Sequence, residues 1–205
     1  MALNTKLMQE KLKAAGRYTG AIDGVLGPKS YAALLEYGVG KSLGDKGLAL
    51  GKALSEHLAD ADITTGLRLA HFLGQAAHET GNFNFLTELG NSSYFKKYDG
   101  RADLGNVKPG DGEKFKGRGI FQTTGRANYE QAGKALGLNT LEHPELLAEP
   151  ENAVRSAVLY WKTRGINLFA DQDRIRDVTR KINGGFNGLA EREELTEKFK
   201  AITLA

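Results

Sequence analysis

The strongest constraint on the fold is the periodic pattern of residues 64–79, TTGLRLAHFLGQAAHE. At about 100° per residue, one broad face of a helix collects the apolar side chains, namely Leu69, Phe72, Leu73, Ala76 and Ala77. The opposite side collects the polar ones, namely His71, Gln75, His78 and Glu79. Thr64 or Thr65 can cap the start, and Gly81 can end the helix. We predict a core helix whose narrow polar stripe faces a cleft.

Helical patterns recur near 128–136, 150–164, 172–182 and 189–201, with start signals at Asn128, Pro150 and Asp171. Strand patterns are sparse, so we predict a mainly α fold with little β structure. The 205 residues can bury a substantial core as one domain with a small appendage. The chain contains no cysteine, so its fold depends on neither disulfides nor thiol chemistry.

Two acids stand out near the end of the helix predicted at 64–79. Glu79 closes that helix, Glu88 follows shortly after it, and a glycine-rich segment comes next at 116–129. The helix dipole and partial burial both favour a protonated carboxyl at position 79, which suits a general acid. Two carboxyl groups flanking one bond are the apparatus of glycoside hydrolysis. The alternative is a structural Glu79 bonded to nearby backbone and a solvated Glu88.

Other polar residues admit two interpretations. His71 and His78 suggest a metal, but no HExxH motif is present, so we predict neither metal nor cofactor, with His78 as a hydrogen-bonded residue that steadies the site. Arg118 and Arg126 suit either an anionic substrate or pairing with local acids. Aromatic candidates are Tyr94 and Tyr98, for sugar stacking or for packing, and Trp161, which we assign to the core.

The N-terminal residues show a separate helical pattern. Asn4 or Thr5 can cap a short helix that ends at Gly16, and an Asp-Gly turn at Asp23 precedes Pro28, which suits the first turn of a second helix. Residues 39–47, VGKSLGDKG, are the best linker candidate. We therefore divide the chain into a small helical segment at 1–38, a linker at 39–47 and a main domain at 48–205.

Charge and hydropathy limit the partners. The net charge of +3 weakly favours anionic partners, but no basic stripe interleaved with aromatic residues indicates nucleic-acid binding. No stretch approaches the roughly 20 apolar residues of a membrane span, so we expect no stable membrane insertion. The first residues lack the apolar region of a secretory signal, so we expect synthesis without export by that route.

Four motifs together resemble glycoside hydrolase family 19, which includes plant and bacterial chitinases and phage lysozyme-like endolysins. They are HETGNF at 78–83, Glu88 in LTELGN, GRGIFQTTGRANY at 117–129 and INGG at 182–185. The resemblance covers roughly residues 60–200 and implies a lysozyme-like, two-lobed helical fold with a substrate cleft. The passage at 18–38 resembles a peptidoglycan-binding repeat, with Leu26 in place of its usual phenylalanine. That second resemblance leaves wall binding and simple bracing of the main domain equally open.

The family resemblance implies a role for each matching residue. Glu79 matches the general acid, Glu88 the general base, and Thr124 the place of a hydroxyl that helps hold the attacking water. Matches to substrate-contacting positions are Gln122, Asn128, Tyr129 and Asn183, together with His78 beside the acid and Arg192, which matches a basic residue that contacts the acid. The family inverts the anomeric carbon, so the two carboxyl groups are expected roughly 6.5–9.5 Å apart.

The implied function is that of a monomeric phage-type endolysin that hydrolyses β-1,4 bonds of bacterial peptidoglycan. Such an enzyme accumulates in the host cytoplasm and reaches the periplasmic wall after the membrane is permeabilised. Two alternatives stay open: a chitinase acting on N-acetylglucosamine polymers, and a wall-polysaccharide-binding protein without catalysis. Retention of both Glu79 and Glu88 disfavours the last of these.

Overall fold

A computed structural model describes residues 3–204, and the described chain is mainly helical, as predicted. The helices, in chain order, are α1 (Thr5–Ala14), α2 (Pro28–Val39), α3 (Gly44–His57), α4 (Gly66–Glu79), α5 (Ser92–Phe95), α6 (Asp111–Lys114), α7 (Arg126–Leu136), α8 (Pro150–Thr163), α9 (Asn167–Ala170), α10 (Ile175–Asn183) and α11 (Leu189–Thr203). Extended pairing within 3–204 is confined to two isolated bridges, which join Arg118 to Thr87 and to Thr123.

The chain forms two compact units. The first contains the residues up to Phe83 together with those from Val158 onward, and the second contains Asn84–Ala157. None of the helices between residues 3 and 204 combines the length and the apolar character needed to cross a bilayer.

The core of the first unit is built on α4 and α11. Thr65 caps α4 through the Arg68 N–H, and Gly74 lies directly against Thr196 of α11. At the other end of the contact, the Thr203 hydroxyl donates to the carbonyl oxygen of Gly66. Because both contact points use small residues or a paired hydroxyl, the two helices approach each other closely. Trp161 is fully buried, as predicted.

The N-terminal helices belong to this same unit. Asn4 caps α1 and Pro28 opens α2, both as predicted, and α1 and α2 pack on α11. The fully buried Gln9 organises the intervening loop, since its amide nitrogen donates to Asp23 Oδ1 at 2.8 Å and its oxygen accepts from the Gly24 N–H at 2.9 Å. The proposed boundaries at 38 and 47 stay predictions; here 40–43 connect α2 to α3, and α3 has already begun at Gly44.

In the second unit, Asp111 is the polar centre of the loops before α7. Its carboxylate accepts the backbone N–H groups of Val107 and Lys108, each at 3.0 Å, and pairs with the Arg126 guanidinium. The hydrogen bond from Arg126 lowers the pKa of Asp111, although burial opposes this. One nearly buried carboxylate therefore fixes both a loop and the first residue of α7.

Two of the three predicted start signals were wrong. α7 begins at Arg126, which places Asn128 inside the first turn, because the backbone at Gly125 turns through a positive φ of 91°. α10 begins at Ile175, and Asp171 instead follows α9 and takes both Arg68 Nε and Nη2 at 2.7 Å. Pro150 does start α8, and the four predicted helices are present as α7, α8, α10 and α11.

The α4–α11 contact predicts the effect of Gly74→Ala. Alanine favours a helix over glycine by about 1 kcal/mol, yet its Cβ would lie 2.9 Å from both the Cα and N atoms of Thr196. We expect the cost of overpacking to exceed the gain in helix propensity, with a net loss of about 1–2 kcal/mol in the free energy of unfolding, measured by chemical denaturation. Gly27→Ala is the control, because a Cβ there meets nothing within 4 Å. A Gly74→Ala protein as stable as the wild type would contradict the close approach.

The Asp111–Arg126 pair predicts a pH-dependent stability. Asp111→Asn leaves the half-buried Arg126 without its carboxylate, and we expect a loss of about 3 kcal/mol in the free energy of unfolding at pH 7. Since the folded pKa of Asp111 lies below its unfolded value, the wild type's advantage is present above about pH 3.9 and fades as the pH falls further.

Urea denaturation between pH 7 and pH 3 measures this difference. The control is Asp103→Asn, which removes an exposed pair with Arg101 and should change stability little. A difference between wild type and Asp111→Asn that stays constant down to pH 3 would show that the charge of Asp111 is not responsible.

Candidate active site

Glu79 is the last residue of α4, and a tight turn sets the direction of the chain beyond it. The Thr80 hydroxyl donates to the Ala76 carbonyl at 2.7 Å and accepts the Phe83 N–H at 2.9 Å. Gly81, Asn82 and Phe83 all have positive φ, which is costly for a phenylalanine. The buried Phe83 side chain and the Thr80 hydroxyl hold this conformation. The chain therefore leaves the helix in a fixed direction immediately after the acid.

A buried arginine holds the Glu79 carboxyl. Arg192 of α11 is 1% exposed, and its Nη2 lies 2.5 Å from Glu79 Oε1. Its Nη1 donates to Gln75 Oε1 at 2.6 Å, and the Gln75 amide donates to the Thr179 hydroxyl of α10 at 3.1 Å. The contact between Arg192 and the acid is the one that the family resemblance implied. It leaves Glu79 Oε2 without a hydrogen-bond partner within the described chain.

The prediction that the whole polar stripe of α4 faces a cleft was wrong. His71 and Gln75 are both fully buried. His71 Nε2 lies 2.8 Å from Asp173 Oδ1, while burial lowers the pKa of His71 against the opposing effect of Asp173. Only His78 and Glu79, at the end of the stripe, are partly exposed. The stripe is polar because α10 and α11 supply partners for it.

His78 has an ordered position beside the acid. Its Nδ1 lies 2.8 Å from Glu191 Oε2. Its ring lies where a Cβ at residue 188 would be, so only glycine fits there, and Gly188 also has a φ of 69°. The structure thus agrees with a hydrogen-bonded histidine, while a contact of His78 with substrate stays a prediction. Neither histidine belongs to a metal-binding group of three among residues 3–204.

Asn183 and Tyr160 lie in the same unit as Glu79. Asn183 is the exposed last residue of α10. Tyr160 of α8 donates its hydroxyl to the carbonyl oxygens of Lys181 and Ile182, each at 3.1 Å. Burial, and to a smaller extent the Glu79 carboxylate, raises the pKa of Tyr160. Tyr160 was not among the predicted site residues, because it lies in the apolar run of α8, distant in sequence from every motif.

In the second unit, three neutral donors hold Glu88. The hydroxyls of Tyr94 and Tyr98 donate to Glu88 Oε1 at 3.2 and 2.9 Å, and the Gly117 N–H donates to Oε2 at 3.0 Å. Burial, together with the hydrogen bond to Glu88, raises the pKa of Tyr98. Three neutral donors therefore orient both oxygens of Glu88. The tyrosines thus have a role that neither sugar stacking nor simple packing described.

The glycine-rich segment forms a turn beside Glu88. Gln122 has a φ of 52°, and its amide donates to the Gly119 carbonyl at 2.9 Å. The Thr124 hydroxyl donates to the Gln122 carbonyl at 3.0 Å, and the Asn128 amide donates to the Thr124 carbonyl at 2.7 Å. The structure therefore gathers Gln122, Thr124 and Asn128 in one hydrogen-bonded segment.

Tyr129 does not line an open surface, contrary to prediction. It is fully buried, and burial raises its pKa to about 12. Its hydroxyl donates to the Lys116 carbonyl at 2.6 Å and accepts from Arg118 Nη1 at 2.8 Å. Tyr129 thus supports the start of the glycine-rich segment through the hydrogen bonds of its hydroxyl group. Arg126 pairs with the local acid Asp111, as one interpretation predicted, whereas Arg118 donates to the Lys114 carbonyl and the Tyr129 hydroxyl and pairs with no acid among residues 3–204.

Known proteins resemble this chain in sequence and in structure. Residues 48–175 match the family described as "Chitinase class I". A glycosyl hydrolase family 19 domain-containing protein of Haemophilus influenzae is 33% identical over an alignment of 172 positions, and the alignment covers 70% of this chain and 84% of that protein. Endochitinase At2g43620 of Arabidopsis thaliana is 35% identical over 118 residues, which are 57% of this chain but only 39% of the plant protein.

The fold is also that of a solved structure. Chitinase C from Streptomyces griseus HUT6037 superposes with a TM-score of 0.67 at 23% identity, covering 85% of this chain and 92% of that one. The family match covers the helix that carries Glu79, the segment of Glu88 and the glycine-rich turn. The chain therefore belongs to glycoside hydrolase family 19.

Proposed function

We propose that this chain is an inverting glycoside hydrolase of the endolysin type, which cuts β-1,4 bonds in bacterial peptidoglycan. The observation that carries the proposal is that different kinds of partner hold the two carboxyl groups. Glu79 is paired with one buried cation and keeps one oxygen without a hydrogen-bond partner among residues 3–204, whereas Glu88 accepts from three neutral donors. Two carboxyl groups in different surroundings are suited to different steps of one reaction.

Glu79 is the proposed general acid. Its unpartnered Oε2 can carry the proton that passes to the leaving glycosidic oxygen as the bond to the anomeric carbon breaks. Arg192, already bound to Oε1, then stabilises the carboxylate that remains. The buried position of Arg192 prevents it from leaving the acid for solvent.

Glu88 is the proposed general base. It takes a proton from a water molecule while the water oxygen bonds to the anomeric carbon from the face opposite the leaving group, so the configuration inverts. Thr124 is proposed to help hold that water, and Gln122, Asn128 and Asn183 to contact the sugar. The return of protons to Glu79 and from Glu88 to solvent completes the cycle.

Peptidoglycan is proposed as the substrate because of the N-terminal segment. Its loop, organised by Gln9, carries the exposed apolar residues Ile22 and Val25 next to the turn of Asp23. An endolysin would act as a monomer on the periplasmic wall after leaving the host cytoplasm through a permeabilised membrane. Chitin is the second candidate, favoured by the names of the plant endochitinase and the Streptomyces chitinase.

Removing either carboxyl tests the reaction. Glu79→Gln cannot deliver a proton and Glu88→Gln cannot accept one, so each should lower the turnover number by at least about 10²-fold. Thr124→Ala should do less, because a hydroxyl only orients the water. Turnover is measured on purified peptidoglycan and on chitin oligomers, and NMR of the first product identifies its anomer.

Glu130→Gln is the control, since Glu130 pairs only with exposed Lys134 on α7. The melting temperature of Glu79→Gln shows whether weakening the contact with Arg192 destabilises the variant. A folded Glu79→Gln protein with near-normal turnover would refute the role of Glu79, and a retained anomer as first product would refute inversion. Turnover of chitin oligomers without any on peptidoglycan would assign the chain to chitin.

The exposed N-terminal loop predicts a separate effect on wall binding. Ile22→Ser with Val25→Ser should lower co-sedimentation with purified peptidoglycan and slow lysis of whole walls, because local enrichment at the polymer is lost. Turnover of short soluble fragments should stay within about twofold. Substitution is preferable to deleting 1–38, since α1 and α2 pack on α11.

Leu168→Ser provides the control, because Leu168 is a similarly exposed apolar residue on α9 of the same unit. Unchanged sedimentation of the double variant would leave the N-terminal helices with a bracing role alone. A lowered melting temperature together with equal losses on walls and fragments would support the same conclusion.

A further inference from the structure

One face of α10 carries two cations and ends at Asn183. Arg176, Arg180 and Asn183 are spaced i, i+4 and i+7, so they lie along a single side of the helix. All three are exposed, and the exposed Phe186 follows in the connection to α11. We call Arg176, Arg180 and Phe186 the basic strip.

The two guanidinium groups of the basic strip share one aromatic ring. Arg176 Cζ lies 4.5 Å and Arg180 Cζ 4.8 Å from the centroid of the Phe186 ring. Such contacts order a guanidinium group without consuming its N–H donors. The ring thus holds two arginine side chains that would otherwise be mobile.

The charges of the basic strip are poorly neutralised. Within residues 3–204, Arg176 lies in no ion pair, and Arg180 only approaches Asp177 Oδ1 at 3.9 Å. Asp177 is already bound by Arg174, whose Nε and Nη2 each lie 2.7 Å from its Oδ2. Two ordered, exposed cations therefore keep donors available for an anionic group.

The helix of the basic strip is linked to the proposed general acid by a chain of hydrogen bonds. Thr179, one residue before Arg180, accepts a hydrogen bond from Gln75, which shares Arg192 with Glu79. Phe186 is two residues from Gly188, which packs on the ring of His78. Two residues of chain span at most about 7 Å. A glycan that contacts Asn183 and runs along the same side of α10 would pass Arg180 and Arg176.

We propose that the basic strip is a subsite for carboxylate groups attached to the substrate glycan, with Phe186 as an apolar surface for the sugar ring. This inference rests on the proposed function and deepens it. Guanidinium groups bind carboxylates through paired N–H donors, and aromatic rings accommodate the apolar faces of sugars. Peptidoglycan carries free carboxylates on its peptide stems, and on the lactyl group of any muramic acid that lacks a peptide, whereas chitin is neutral. The strip would thus favour the acidic polymer over the neutral one.

The test compares three soluble substrates with one charge-removing variant. They are peptidoglycan fragments with free carboxylates, the same fragments with every carboxyl converted to a methylamide, and a chitin oligomer. Arg176→Gln with Arg180→Gln should lower kcat/KM on the carboxylate fragments by about fivefold, since two exposed ion pairs are lost. It should leave the other two substrates unaffected, and added salt should abolish the difference.

Two further variants isolate the cause. Arg176→Lys with Arg180→Lys keeps both charges and should retain most of the preference for carboxylates. Lys134→Ala with Lys198→Ala removes two other exposed cations, each in a surface pair, and should change nothing. Equal losses on all three substrates, or none on the carboxylate fragments, would overturn the proposal. A loss on whole walls but not on soluble fragments would assign the strip to other wall anions and also overturn it.

Binding measurements separate this inference from the proposed reaction. The affinity for the carboxylate fragment is measured by calorimetry in the Glu79→Gln background, with and without the two arginine substitutions. A weaker affinity without the arginines supports the subsite even if the wild type cleaves none of the three substrates. Equal affinities overturn the subsite whatever the turnover shows.

Discussion

The buried guanidinium group of Arg192 joins the parts of the first unit that matter most. It binds Glu79 and Gln75 of α4 and the Asn187 carbonyl that precedes α11. A buried cation without such partners costs several kcal/mol, so α4 and α11 must meet with these groups in place. The close approach at Gly74 and Thr196 makes that meeting possible. The same contact that stabilises the helix pair therefore fixes the proposed acid.

The second acid depends on a different kind of support. Glu88 is held by a loop and not by a helix, and its donors are a backbone N–H and two phenols. These neutral donors hold both carboxyl oxygens of Glu88 in place without an ion pair among residues 3–204. The hydroxyl group of the fully buried Tyr129 binds Lys116 and Arg118, the two neighbours of Gly117 in the chain. It thereby positions the Gly117 N–H indirectly. A scaffold of tyrosines thus does for Glu88 what one arginine does for Glu79.

The charge pattern around α10 connects this architecture to the substrate. The buried Thr179 of α10 joins the Gln75–Arg192 network, while the neighbouring Arg176 and Arg180 of the same helix are exposed. One short helix therefore supports the proposed acid from within and offers cations to an approaching polymer. The net charge of +3 for the whole chain gave only a weak indication of an anionic partner. The placement of two exposed arginines on the same side of α10 as Asn183, of which only Arg180 approaches a carboxylate among residues 3–204, is more specific.

The sequence by itself determined the mainly helical character, the helices near 64–79 and 150–164, and the family, and it narrowed the two N-terminal caps to Asn4 or Thr5 and to Thr64 or Thr65. These depend on local periodicity and on short motifs, which a linear chain displays directly. The tertiary structure alone decided that His71 and Gln75 are buried, that Tyr129 is a support, and that Tyr94 and Tyr98 hold Glu88. Periodicity gives the angular position of a side chain on its helix, but not which distant segment packs there. Residues 173, 179 and 192 supply those partners from roughly a hundred positions away, so only folding reveals them.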